Sequence, residues 1–191
     1  MSRADELIAA ALSNKVNAEI LRRLPDLGVS QIYLFAGCIY QAVWNRLSGW
    51  APEAHVKDYD VFYFDDGDLS WEAEDIVISR ARDLFADLGT EVEVRNQARV
   101  HLWYRPKFGV DYPQLRSAED AIDRYLAACT CIGISAESGR LYAPYGLDEL
   151  WAGVLRMNPV NPQPERFLEK AASYRALWPW LTVVPPPAVI S

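Results

Sequence analysis

The stretch KDYDVFYFDDGDLS, residues 57–70, limits what this chain can fold into more than any other segment. Tyr59 to Phe64 is short, rich in strand formers and bounded by aspartates, which predicts a strand. Its apolar residues fall on both faces, the pattern of a central strand covered from either side. Asp58 and Asp60 lie at its mouth, and Asp65, Asp66 and Asp68 follow it. Asp66 and Asp68 flank Gly67 and are expected to turn the chain into the next helix, with Asp65 ending the strand. Asp58 and Asp60 stand two apart, so both side chains point to one face. Carboxylates forced together repel unless a cation neutralises them. A hard divalent ion does this, and Mg²⁺ typically takes one or two carboxylates plus substrate phosphates.

Around that strand the pattern predicts an α+β chain. Residues 4–24 have helix-spaced apolar positions (Leu7, Ile8, Ala11, Leu12, Val16, Ile20, Leu21, Leu24), closed by Pro25 and Gly28. Residues 31–35 read as a strand running into Ala36-Gly37-Cys38, and residues 39–47 return to helical spacing. A helix over 70–88 follows the aspartate turn, acidic in its first turn as the helix dipole favours. From Glu91 to Tyr104 the period switches to two, with Val92, Val94, Ala98, Val100, Leu102 and Tyr104 on one parity. Fourteen residues exceed the usual strand, so a bend or tight hairpin is expected near Asn96-Gln97. Beyond it we expect a helix over 117–128, a hairpin from 129–135 and 140–143, a short helix over 147–155 and a final helix over 164–178. The Pro-rich residues 183–191 are expected to be extended. The whole is read as one domain over 1–191: a small mixed or antiparallel sheet flanked by helices, with a C-terminal helical segment.

With 51% hydrophobic residues in a chain of 191, there is ample material for a core. A net charge of −7 argues against a bulk nucleic-acid coat. Cys38, Cys129 and Cys131 cannot all pair, and the N-terminus carries no apolar signal peptide, so the chain reads as cytoplasmic. No apolar run approaches the ~20 residues needed to cross a bilayer.

A third acid on a neighbouring strand would complete a two-metal clamp for in-line phosphoryl transfer. Glu93 fits that position, with Glu91 as the fallback. The Gly37-Cys38 turn ends a strand and opens a helix, which presents free backbone N–H groups to a phosphate. Gln41, Asn45 and Ser48 form a polar stripe on that helix, equally what a solvated helix face presents. Arg95, Arg99 and His101 fall on the polar parity of the 91–104 segment and could meet phosphates or acceptor. Structural pairing of Arg95 or Arg99 with Glu91 or Glu93 competes with that role, and His101 also reads as a packed histidine. Cys129 and Cys131 lack nearby partners for a zinc site and read as small buried residues. The seven tryptophans mainly indicate packing of the C-terminal helix; no pattern supports Trp44 or Trp103 as a base-stacking platform.

The order AGCIYQAVWN, KDYDVFYFD, EVEVRNQARVHLWY resembles the DNA polymerase β-type nucleotidyltransferase superfamily, whose pattern is Gly with Gly or Ser, a helix, Asp-x-Asp on a strand and a later acid. More narrowly, with RNQARVHLWY and APYGLDELW, it is similar to a bacterial group of nucleotidyltransferase family proteins. The resemblance covers about residues 32–151. It implies a core over about 29–145, with helices of 3–24 and 147–180 packed on it. It gives Gly37 and Cys38 the nucleotide-loop role, Asp58 and Asp60 the metal role, and Glu93 the third-acid role. Mg²⁺ or Mn²⁺ is the implied cofactor, an NTP the substrate, and a small molecule a more fitting acceptor than a long nucleic acid. Cys38 departs from the Ser that contributes a hydroxyl in that pattern, and a thiol is a weak donor. That departure keeps a second reading open: a nucleotide-binding or protein-interaction module that retains the fold without its catalysis. Haloacid-dehalogenase-type phosphatases also set an aspartate after an apolar strand, but Asp65-Asp66-Gly67-Asp68 lacks their spacer and their Thr.

Overall fold

The computed structural model describes residues 2–187. Two short helices open the chain, α1 (Arg3–Ser13) and α2 (Lys15–Arg23). Ser2 and Asp5 form a capping box ahead of α1. The Asn14 carboxamide accepts from the Val16 N–H and caps α2. The single helix expected over 4–24 is thus broken at Asn14, whose side chain starts a new helix inside a continuous apolar pattern. Then come β1 (Tyr33–Phe35), α3 (Gly37–Leu47), β2 (Tyr59–Tyr63), α4 (Trp71–Leu84), β3 (Val92–Asn96), α5 (Val100–Phe108) and α6 (Ala118–Ile122). A hairpin, β4 (Gly133–Ser135) and β5 (Leu141–Tyr142), precedes α7 (Asp148–Ala152), β6 (Val154–Leu155), α8 (Pro164–Leu177) and β7 (Thr182–Val183).

Five strands make one mixed sheet in the order β3-β2-β1-β4-β5. β1 lies antiparallel to both β2 and β4, whereas β2 and β3 are parallel and connected through α4. This is the expected α+β class. One face of β2 (Tyr59, Val61, Tyr63) is buried in the main core with Leu34, Ile39 and Val43. On its other face Asp60 and Phe62 are only partly buried and line a cleft. The sequence predicted a strand covered on both sides; here the second face is left open to ligand-sized space.

At the end of β2 the Asp65 carboxylate accepts from the Gly67 N–H, and Asp68 accepts from the Ser70 N–H. Ser70 in turn caps α4. Asp68 holds the turn as expected, whereas Asp65, expected only to end the strand, takes the part expected of Asp66.

The largest departure follows β3. The long alternating segment expected over 91–104 stops at Asn96 and continues as a tight turn and then α5. Buried Asn96 explains the stop. Its Oδ1 accepts from the Asp65 and Ala98 N–H groups, and its Nδ2 donates to the Asp65 carbonyl. One side chain therefore ties the ends of β2 and β3 and caps the following turn. Val100, Trp103, Tyr104 and Phe108 then follow helical spacing, a period that the alternation of Val100, Leu102 and Tyr104 conceals.

The helix expected over 117–128 is only one turn long, and Cys129 lies in a 3₁₀ turn, Ala128–Thr130, rather than a strand. Cys129 and Cys131 are buried free thiols. The short helix ends at Ala152, where Gly153 takes the left-handed cap at φ 67°, and a Cβ there would clash with the Trp180 ring. Trp178 is fully buried against Trp44, with ring centroids 5.3 Å apart, and so holds the C-terminal segment on α3. Part of the expected extended tail is β7, paired parallel with β6; residues 188–191 lie outside the described residues. Among the described residues no helix is long and apolar enough to cross a membrane.

Candidate active site

Three chain segments meet at one end of the sheet. Phe35, the last residue of β1, pairs with Asp60 near the start of β2. Asp60 in turn pairs with Glu93 on β3. The Ala36-Gly37-Cys38 turn, the Asp58/Asp60 pair and Glu93 are therefore neighbours although far apart in sequence. Asp60 and Glu93 line the same cleft, whereas Glu91 precedes β3, is exposed and does not line it.

Burial pushes the Asp60 carboxyl up to about 7, and the charges of Asp58 and Glu93 add to the effect; Lys170 opposes it. Negative charge thus accumulates around a partly buried carboxylate without full compensation. Glu93 Oε1 accepts from Arg95 Nε and Nη2, at 3.0 and 2.9 Å. Among the described residues no three His, Cys, Asp or Glu side chains converge closely enough to hold an ion as they stand. The donors nonetheless fit a hard cation: Asp58 and Asp60 are the one or two carboxylates that Mg²⁺ takes beside substrate phosphates, and a third protein ligand is optional.

The turn is strained. Ala36 holds φ 66° and ψ −141°, a conformation that a residue with a Cβ resists, and it precedes the first turn of α3. The Ile39 and Tyr40 N–H groups return to the Ala36 carbonyl. The N–H groups of Gly37 and Cys38, at the helix start, have no intrahelical acceptor. Gly37 is partly exposed, and a Cβ there would lie 2.7 Å from Gln41 Nε2, so glycine lets Gln41 close over the turn. Gln41 Oε1 is buried without a partner.

Three residues expected at the site are engaged elsewhere. The Cys38 thiol is buried, donates to the Phe35 carbonyl at 3.2 Å and is raised far above its usual range by burial, so the side chain presents no group to a ligand. Asn45 is fully buried: its Nδ2 donates to the Pro52 and Ala54 carbonyls, and its Oδ1 accepts from Trp178 Nε1. That carboxamide ties a loop and the C-terminal tryptophan to α3 and has no free group for a nucleotide. Arg99 is 8% exposed, is ion-paired with buried Glu74 and donates Nε to the Leu69 carbonyl. It borders the cleft, but its charge is spent on α4. Trp44, fully buried with Nε1 donating to the Leu150 carbonyl, is likewise a packing residue.

The cleft itself measures about 740 Å³, well within the range of small-molecule sites. Its wall brings in Lys107, Arg166 and Lys170 from helices and Arg124 from the turn after α6, none of which sequence reasoning singled out. Arg166 and Lys170 stand four apart on α8, beside the buried Phe167, Ala171 and Tyr174. That spacing was a readable sign that both flank an inward stripe; which cavity they border depended on tertiary packing. Tyr174 closes the floor, its hydroxyl 2.5 Å from that of Tyr40 on α3.

A family profile described as nucleotidyltransferase matches residues 22–183. A solved NMR structure described as revealing a CCA-adding enzyme head domain is similar at 26% identity, with a TM-score of 0.72, covering 95% of this chain and 96% of that one. No curated protein matches the chain.

Proposed function

The chain belongs to the nucleotidyltransferase family, and from that premise we propose that it transfers a nucleoside monophosphate from an NTP to an acceptor hydroxyl. The observation that carries this reading is the cross-strand pairing of Asp60 with Glu93, beside Asp58 and the Gly37 turn. Asp58 and Asp60 would hold Mg²⁺ or Mn²⁺, with Glu93 as third ligand. Such an ion, when bound, offsets triphosphate charge and polarises the reacting phosphoryl group. The Gly37 and Cys38 N–H groups receive phosphate oxygens at the helix start. Gln41, closing over Gly37, adds a carboxamide donor, and Arg95 exchanges Glu93 for a phosphate oxygen when substrate enters.

In the transfer the acceptor oxygen attacks the α-phosphorus. The bond from that phosphorus to the bridging oxygen breaks and pyrophosphate leaves. Glu93 takes the hydroxyl proton. The similarity to a structure described as a CCA-adding enzyme head domain favours nucleotide transfer over other uses of the fold. A cleft of about 740 Å³ in a chain of net charge −7 favours a small acceptor over a long nucleic acid.

A second reading, a nucleotide-binding or interaction module without transfer, is favoured by the Arg95–Glu93 ion pair, which occupies the third acid. Incubation with α-phosphate-labelled NTPs, Mg²⁺ or Mn²⁺ and cell extract separates the two. Labelled product that disappears in Asp58→Asn and Asp60→Asn supports the enzyme. Absence of product, or labelling indifferent to both substitutions, supports the module.

A further inference from the structure

Asp60 has the Gly37 turn on its β1 side and the cleft on its β3 side. Neither Gly37 nor Cys38 lines the cleft. If the turn cradles the triphosphate, the cleft beyond Asp60 remains for the other substrate. We propose, resting on the nucleotidyltransferase reading, that the cleft wall built by α5 and α8 is the acceptor site, and that the acceptor is a small molecule carrying an anionic group and a planar ring.

The wall's chemistry is specific. Lys107, Arg124, Arg166 and Lys170 all line the cleft, and among the described residues none is ion-paired with a carboxylate. Free cations gathered into one concavity of an acidic protein raise the local concentration of anions. Neutral groups hold two of them. Arg166 donates to the Tyr104 hydroxyl at 3.0 Å and to Gln163 Oε1 at 2.8 Å, with its guanidinium 5.1 Å from the Phe108 ring centre. Lys107 Nζ lies 5.6 and 5.3 Å from the Trp103 and Phe108 ring centres. Partners of this kind orient a charge without cancelling it. Arg124 Nε is buried with no acceptor, a donor whose desolvation a bound anion would offset.

The cations divide by position. Lys170 stands one turn beyond Arg166 on α8 and lines the cleft together with Asp60. Arg166 and Lys107 instead stand among Trp103, Tyr104 and Phe108, where they suit an anion on a molecule whose ring stacks on theirs.

The test uses the whole chain saturated with Mg²⁺ and a non-hydrolysable NTP analogue. Nucleoside monophosphates and phenyl phosphate are then titrated by calorimetry beside the matching nucleosides and phenol. We expect at least one anionic probe to bind, and its uncharged parent to bind at least tenfold more weakly. Arg166→Glu and Lys107→Glu should each weaken that probe at least tenfold and leave analogue affinity within twofold. Arg105→Glu, exposed and paired with Asp111 outside the cleft, should change neither. Unfolding midpoints establish that each variant is folded, and Arg166→Gln repeats the test if the reversal is not. No anionic probe binding, equal binding of charged and uncharged probes, or loss of analogue binding in Arg166→Glu overturns the proposal. Failure of the analogue itself to bind, with anionic probes still bound through Arg166, would instead overturn the NTP reading and leave the anion site standing.

Discussion

Asp60 and Glu93 stand opposite each other across the parallel pairing of β2 and β3, so two acids 33 positions apart border one cleft beside Asp58. Without a cation their charges oppose ionisation of Asp60, whose carboxyl burial has already raised.

That relationship makes stability pH-dependent. The folded Asp60 carboxyl titrates at about 7, above its ordinary value of 3.8. The unfolded chain therefore releases this proton first, and the stability that Asp60 contributes below pH 3.8 is lost as pH rises through 7. At ~1.4 kcal/mol per unit, and discounted for partial exposure, the loss is on the order of 2 kcal/mol. In metal-free buffer Asp60→Asn should therefore raise the melting temperature by about 4–8 °C at pH 8 and leave it unchanged near pH 3.5. Equal shifts at both pH values would refute the assignment. Mg²⁺ with NTP should stabilise the natural protein more than the variant.

Glu93 and Glu91 separate by side chain alone. Glu93→Gln should lower transfer about 100-fold, as loss of a positioned proton acceptor does, whereas Glu91→Gln stays within about 3-fold. Steady-state label transfer reads both, and the reverse order would move the third acid to Glu91.

Arg99 tests the boundary between site and scaffold. Removing its partner leaves a buried charge alone, so Glu74→Gln and Arg99→Met should each cost about 3–5 kcal/mol in denaturant unfolding. The double substitution Glu74→Leu with Arg99→Met should cost less than either alone. A direct phosphate role would instead show as weakened NTP binding in an undestabilised Arg99→Met protein.

Cys38 is sealed from solvent, and burial holds its thiol protonated. A hydroxyl can make the same bond to the Phe35 carbonyl, so Cys38→Ser should cost about 1 kcal/mol or less. It should not raise transfer, because the side chain does not reach the phosphates. A clear gain in rate would show that the thiol impairs a role the hydroxyl performs.

These contrasts mark where a sequence can be read. The juxtaposition of the Gly37 turn, Asp58/Asp60 and Glu93 was legible because alternate strand residues share a face and a strand running into glycine opens a helix. The class of the fold followed from the same periods. Asn45 and Arg99 were misread because their partners, Trp178 and Glu74, are remote in sequence and a polar stripe looks alike whether solvated or tied inward. The 97–104 segment was misread because its apolar residues satisfy periods of two and of helix alike, and the decision rests with the Asn96 cap. Arg124 carried no local signal at all; α6 and the turn after it bring it to the cleft.

The central claim, that Asp58, Asp60 and Glu93 hold a divalent ion beside the nucleotide, is tested most directly by Mn²⁺ binding measured by electron paramagnetic resonance with NTP analogue present. The natural protein should bind Mn²⁺ and lose at least tenfold in affinity in Asp60→Asn and in Asp58→Asn. Mn²⁺ affinity unchanged in both variants would contradict it.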